Sequence, residues 1–194
     1  MYKTHTKCKD LSSLDSVFWG WQYDKDSSNL IKSFKYKGAF TLSKEISEIL
    51  CRRILETNFL GQFTNPLLIP IPIHKTKERE RGFNQSLLLS SSISEILNIP
   101  LREDLLFRTV NGSAQAQKGK FERRFLPSNT FIFDFKHSQN QEIILIDDVI
   151  TTGSTLDTAA KAIKSGNKDI KISAICILRG KPFYSSEVVK SDIS

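Results

Sequence analysis

The thirteen residues Ile143-Ile144-Leu145-Ile146-Asp147-Asp148-Val149-Ile150-Thr151-Thr152-Gly153-Ser154-Thr155 constrain this chain more than any other stretch. An uninterrupted apolar run of this length, rich in β-branched residues, is the pattern of a strand buried on both faces of a parallel sheet. The run stops at two carboxylates, passes through hydroxyls and one glycine, and opens a new periodicity. Leu156, Ala159, Ala160 and Ile163 stand at i, i+3, i+4 and i+7, so a helix with one apolar face follows at once and closes near Gly166. A buried strand, a tight turn and an amphipathic helix are half of a βαβ unit, which predicts an α/β fold.

The same residues carry chemistry. Backbone N–H groups at a helix N-terminus, joined by the hydroxyls of Thr151, Thr152, Ser154 and Thr155, make a cradle for a phosphate monoester. Gly153 lets the backbone approach the anion closely. Asp147 and Asp148, at the carboxyl end of the strand, accept hydrogen bonds from vicinal hydroxyls of a sugar, and ligands of open α/β sheets bind at that edge. Hydroxyl-rich helix starts also serve as plain caps. An apolar strand ending in Asp-Asp also resembles the second nucleotide motif of P-loop ATPases. That reading needs a G-x-x-x-x-G-K-[ST] loop, and the nearest candidate, residues 112–120, has the wrong spacing and no following Ser or Thr.

Elsewhere, residues 17–23 predict a short aromatic strand and residues 28–37 a helix. Leu42, Ile46, Ile49, Leu50 and Ile54 mark a helix over 41–57. Residues 67–71 predict a strand that Pro70 and Pro72 turn into a loop. From Phe83 onward Leu89, Ile93, Ile96 and Leu97 mark a helix that closes before Pro100. Residues 105–107 and 130–133 predict strands joined by a long basic connection, and 170–178 a last strand. Strands alternating with helices give a largely parallel twisted sheet flanked by helices.

Charge sharpens the functional reading. The chain carries 28 basic and 21 acidic side chains, a formal net charge of +7. They gather as Lys32, Lys35 and Lys37; as Lys75, Lys77, Arg79 and Arg81; and as Lys118, Lys120, Arg123 and Arg124. Any one cluster reads equally well as solvated surface; together they point to anionic ligands. Cys8, Cys51 and Cys176 are odd in number and form no CxxC pair, which suggests a reducing, cytoplasmic setting. The longest uncharged stretch, 57–73, contains Pro66, Pro70 and Pro72, and the N-terminus is polar, so neither a membrane span nor a signal peptide is expected.

Taken whole, the thirteen residues resemble the binding motif for phosphoribosyl pyrophosphate (PRPP) in type I phosphoribosyltransferases. A second stretch narrows the resemblance. Pro70-Ile71-Pro72-Ile73-His74 followed by Arg79-Glu80-Arg81-Gly82-Phe83-Asn84-Gln85 is similar to the signature of the ComF family of competence-associated, phosphoribosyltransferase-like proteins. Leu30-Ile31-Lys32, Phe34-Lys35-Tyr36 and Gly38 resemble that family's preceding helix end, and Gln115 with Glu122-Arg123 its mobile loop, so the likeness runs over residues 17–178. It implies a type I phosphoribosyltransferase fold over 25–194, preceded by an N-terminal appendage and strand over 1–24. It implies ribose binding by Asp147 and Asp148, and 5-phosphate binding by Thr151, Thr152, Gly153, Ser154 and Thr155. Pyrophosphate would fall to a loop carrying Pro72, His74, Lys75, Arg79, Arg81 and Gly82, and closure to a loop carrying Gln115, Lys118 and Arg123.

The residues leave alternatives and departures. Glu78 and Glu80 can neutralise the loop's arginines, and Asn84 and Gln85 can simply cap a helix. Leu126-Pro127 stand where the family usually has Asn and an aliphatic residue. Where ComF proteins begin with a four-ligand zinc ribbon, only His5 and Cys8 match, as a remnant pair, and two ligands make no structural zinc site. The expectation is a shortened member or a translation start upstream of Met1; zinc near one equivalent in purified protein would overturn the shortened version.

The activity implied by the resemblance is attack of a nucleophile on the anomeric carbon of PRPP with release of pyrophosphate, with Mg²⁺ carried by the ligand. No residue names the acceptor. The implied setting is competence and DNA uptake, with PRPP or a related phosphosugar, single-stranded DNA and competence proteins as partners. The alternative is a PRPP sensor or a single-stranded-DNA-binding protein without turnover. Phe34-Lys35-Tyr36-Lys37 and Phe121-Glu122-Arg123-Arg124-Phe125 alternate ring and charge as such sites do, though aromatics at these spacings also build cores.

Overall fold

Four parallel strands form the main sheet in the computed structural model, which describes residues 11–22, 24, 27, 29, 33–34, 39–109, 129–137 and 142–180. In chain order the elements are β1 (Ser16–Gln22), α1 (Ala39–Glu56), β2 (Pro66–Pro70), α2 (Lys75–Arg81), α3 (Gln85–Leu97), β3 (Leu106–Arg108), β4 (Phe131–Phe133), β5 (Glu142–Ile150), α4 (Ser154–Lys164) and β6 (Ile172–Arg179). The sheet order is β1-β6-β5-β2, every pair parallel, while β3 and β4 form a separate antiparallel ribbon. Residues 100–102 add one bridge beside β2, where the Leu68 N–H donates to the Pro100 carbonyl and the Arg102 N–H to the Leu68 carbonyl. The α/β architecture expected from the alternating pattern is what the chain adopts.

The apolar runs of β5 and β6 take the two inner positions, where side chains on both faces are covered. Ile143 and Leu145 face α4, meeting Leu156, Ala159, Ala160 and Ile163 together with Leu106, Phe131 and Phe133 of the ribbon. Ile144 and Ile146 face the opposite layer, built from Ile46, Leu50, Cys51 and Ile54 of α1 and Leu89 and Ile93 of α3. Each fully buried Leu or Ile among them contributes about 1.5–3 kcal/mol. Phe34 is fully buried in this second layer, so its ring belongs to the core and is not a stacking surface for DNA. The strand near the N-terminus is an integral edge of the sheet, paired with β6 from Ser16 to Gln22.

Two details differ from expectation. The sequence predicts a strand that stops at the paired acids, yet β5 continues to Ile150 because Val149 and Ile150 still pair with Leu178 and Arg179. On α1, Ile49 is exposed while Ser43 and Ser47 are buried, so the inward stripe is more polar than its apolar spacing suggests. Among the described residues no helix is long and apolar enough to cross a membrane.

Gly20 marks a close approach. A Cβ there would lie 2.7 Å from Leu50 Cδ1 and 3.2 Å from the Ile177 carbonyl oxygen. Gly20→Val should therefore destabilise the protein by about 2 kcal/mol, seen as a melting temperature lower by about 5 °C. An unchanged melt would mean that Leu50 turns aside freely.

Candidate functional site

At the carboxyl edge of β5 the chain turns through Thr151 and Thr152 to Gly153, whose φ of 79° is left-handed, and enters α4. Gly153 precedes the helix with no side-chain cap, and its carbonyl accepts the Asp157 N–H at 2.9 Å. Thr152 Oγ1 bonds Ser154 Oγ at 3.1 Å and accepts the Ser154 N–H at 3.3 Å, which holds the turn shut on itself. Asp147, Thr151, Thr152, Gly153, Ser154 and Thr155 line one shallow cavity with their apolar neighbours. The structure thus brings the five residues expected to hold a phosphate together with Asp147; Asp148 is the next residue along β5, half-buried and outside that lining.

A second segment converges from β2. The Ile71 N–H donates to the Ile146 carbonyl at 2.9 Å, so Pro72 and His74 leave the sheet one residue short of Asp147. The sequence predicts a basic loop here, whereas Lys75–Arg81 is a seven-residue helix, α2, with no buried residue. His74 caps it by accepting the Thr76 N–H through Nδ1 at 3.1 Å, and Gly82, at φ 82°, closes it with a 2.7 Å bond to the Glu78 carbonyl. Apolar periodicity had no purchase on a helix that buries nothing. Lys75, Lys77 and Arg79 are exposed, and among the described residues none of the basic side chains of α2 forms an ion pair with Glu78 or Glu80. Only Arg81 folds back, donating from Nη1 to Gln85 Oε1 at 3.1 Å.

Asn84 is the N-cap of α3, as one reading of the sequence expected. Its Oδ1 accepts the Ser86 N–H at 3.1 Å while its Nδ2 donates to the Ile71 carbonyl at 3.2 Å. Ser86 Oγ donates to Asp147 Oδ1 at 3.1 Å, and the Asp148 N–H donates to the same oxygen at 2.9 Å. Gln85 is buried beside them, and its Nε2 has no partner.

Sequence reasoning missed Arg108, at the end of β3. Its Nε is buried without a partner and its guanidinium lies 5.4 Å from the centre of the Phe131 ring. Burial lowers its pKa, and the field of Asp147 acts in the opposite sense. A signal was available: Leu106 points in and Phe107 out, so period-two alternation turns Arg108 inward. Burial pushes the Cys51 thiol up to about 12, and burial with the nearby Asp147 and Asp148 charges raises Cys176 well above its usual range, which favours the neutral thiol at both.

Over the start of α4 lies the segment before β1. The Ser13 N–H donates to Asp157 Oδ1 at 3.0 Å, Lys161 pairs with Asp157 at 2.8 Å, and Leu11 sits against Gly153. Gln115, Lys118 and Arg123, the expected closing loop, and His5 and Cys8, the remnant zinc pair, lie outside the described residues. Among the described residues no three His, Cys, Asp or Glu side chains gather as a metal site.

No protein-family model matches the chain. Competence protein F of Haemophilus influenzae is 29% identical over 168 residues, which cover 84% of this chain and 73% of that protein. Competence protein ComFC of Bacillus subtilis is 38% identical over 115 residues, 58% of this chain but 44% of the relative's length. DNA utilization protein YhgH of Escherichia coli O157:H7 is 26% identical over 156 residues, 79% of this chain and 68% of that one. Among solved structures, hypoxanthine-guanine phosphoribosyltransferase from Schistosoma mansoni in complex with IMP overlays with a TM-score of 0.37 at 11% identity, covering 73% of this chain and 64% of that one. A parallel α/β sheet with the strand–turn–helix motif at its carboxyl edge thus occurs in a chain similar to competence proteins along most of its length. The likeness is to competence proteins F and ComFC of these organisms.

Proposed function

We propose that this protein binds PRPP at the β5–α4 turn and transfers its phosphoribosyl group to an acceptor. The observation that carries the reading is the shared cavity of Asp147 with Thr151, Thr152, Gly153, Ser154 and Thr155 at the carboxyl edge of a parallel strand. The α4 amides and the turn hydroxyls take the 5-phosphate, and Asp147 and Asp148 accept the ribose hydroxyls. The diphosphate lies toward Pro72, His74, Lys75, Arg79, Arg81 and Gly82, with Arg108 as a further cation. The acceptor's lone pair forms the new bond to the anomeric carbon as the carbon–oxygen bond breaks, and that electron pair leaves with pyrophosphate. The hard carboxylate oxygens of Asp147 and Asp148, beside the cradle, suit a hydrated Mg²⁺ held mainly by the diphosphate, where it would neutralise the leaving group.

Calorimetric titration of PRPP with and without Mg²⁺, with pyrophosphate followed in the same sample, tests this. Mg²⁺-dependent binding with release stimulated by an added base or amine is the expected result; absence of binding overturns the reading, and binding without release reduces it to a sensor. Arg108→Gln should weaken PRPP binding about 10- to 100-fold while the melting temperature holds or rises, because the substitution removes a buried cation that has no partner at its Nε. Unchanged affinity would take Arg108 out of the site.

One observation favours a second reading, single-stranded DNA handling in uptake. Phe40 is 70% exposed, with its ring 6.3 Å from that of Phe83, which follows the basic helix α2. Rings beside an unpaired basic helix suit base stacking and backbone charge, and binding of this kind weakens steeply as salt rises.

A further inference from the structure

We infer that Ser86 is a positioning residue for the ribose carboxylate of Asp147, an inference that rests on the PRPP reading above. The argument starts from the backbone. Ile71 ends β2, its N–H donating to the Ile146 carbonyl and its own carbonyl accepting Asn84 Nδ2 at 3.2 Å. Asn84 Oδ1 accepts the Ser86 N–H at 3.1 Å, so the first turn of α3 is pinned to the carboxyl end of β2. Ser86 Oγ then donates to Asp147 Oδ1 at 3.1 Å, across 61 residues of sequence, and the Asp148 N–H donates to the same atom at 2.9 Å.

Two donors on one oxygen, from two elements, fix the rotation of a carboxylate. One donor is Asp148's own backbone and holds Asp147 only relative to β5. The other comes from α3 and holds it relative to the segment that carries α2 and the expected diphosphate ligands. Asn84 and Ser86 are 8% and 2% exposed, so water does not substitute for this relay. Ser90 Oγ donates to the Ser86 carbonyl at 2.7 Å, which fastens the same turn one step deeper. Ser86 touches the carboxylate and not the ligand; its effect on binding passes through Asp147. The two halves of the site are thereby registered against each other before any ligand arrives.

The experiment compares Ser86→Ala, which deletes the donor, with Ser86→Thr, which keeps it. In the free protein, the Asp148 amide resonance reports the carboxylate that it bonds: it should move in Ser86→Ala and return toward its original position in Ser86→Thr. PRPP affinity, measured by calorimetry with Mg²⁺, should fall about tenfold in Ser86→Ala and recover in Ser86→Thr, the expected size for a hydrogen bond to an ionised group. In an Asp147→Ala background, where the acceptor is gone, Ser86→Ala should cost much less, because residues acting through one contact are not additive. A purely structural Ser86 would give equal losses in both backgrounds and no rescue, and that result overturns the proposal. If the unaltered protein fails to bind PRPP, the ribose reading falls while the amide comparison still decides whether Ser86 sets the carboxylate. Should Ser86→Ala fail to fold, Ser86→Cys, a weaker donor of similar size, carries the same comparison; an unmoved amide overturns the proposal there too.

Discussion

Asp147→Asn combined with Asp148→Asn should leave a folded protein whose PRPP affinity has dropped by about 100-fold or more. The fold survives because an asparagine Oδ1 still accepts from Ser86 Oγ and from the following N–H, so the local network keeps its shape. With the same hydrogen bonds accepted, the melting temperature should change little. Affinity falls because each carboxylate-to-hydroxyl bond is charge-assisted and worth about 1.5–3 kcal/mol, and an amide oxygen is the weaker acceptor. Calorimetry for affinity and a thermal melt for folding give the two readouts. Single-stranded DNA binding should persist in the double variant, since the exposed Phe40 and the basic side chains of α2 are untouched. Equal loss of PRPP and DNA binding with an intact melt would mean one shared site and would defeat the separation of the two readings.

How far the sequence reaches depends on whether a feature is local. The strand of β5 was legible because Ile143 to Ile146 has no polar interruption, and α4 because Leu156, Ala159, Ala160 and Ile163 repeat at helical spacing. The turn between them followed from its single glycine, which does take a left-handed φ. The strand's true end was not legible: Asp147 and Asp148 break the apolar pattern, but the ladder to β6 is made by backbone groups that are indifferent to side chains. Helix α2 was invisible for the opposite reason, having no apolar face. Its limits are set by His74 and Gly82, whose capping roles appear only in the folded backbone. The Ser86–Asp147 bond was beyond reach because no local pattern couples positions so distant in the chain; β2 must lie beside β5 before α3 can deliver its first turn to Asp147. Arg108 lay between these cases, since alternation along β3 turns it inward, but the strand expected over 105–107 stops one residue before it.

Gly153→Ala should be the most damaging single substitution at the site, and a second glycine shows why. Gly153 and Gly82 have nearly the same left-handed φ, 79° and 82°. Alanine in that region costs about 1–2 kcal/mol at either position. Around Gly82 a Cβ would meet nothing within 4 Å, whereas at Gly153 it would run into Leu11, meeting Cδ2 and standing 3.0 Å from Cγ. Overpacking adds about 1–3 kcal/mol, so Gly153→Ala should lose about 2–5 kcal/mol by denaturant melts against about 1–2 for Gly82→Ala. The difference between the two variants isolates the contact with Leu11. The backbone at Gly153 can relieve the clash only by rotating the first amides of α4 away from the cavity, so PRPP affinity should fall about 10- to 100-fold with stability. Leu11→Ala in the Gly153→Ala protein removes the steric part and leaves the conformational part, and should recover about half of the lost stability. If Gly153→Ala and Gly82→Ala prove equally mild, Leu11 does not press on the turn. Among the described residues, the Ser13–Asp157 bond would then be what ties the segment before β1 to the start of α4.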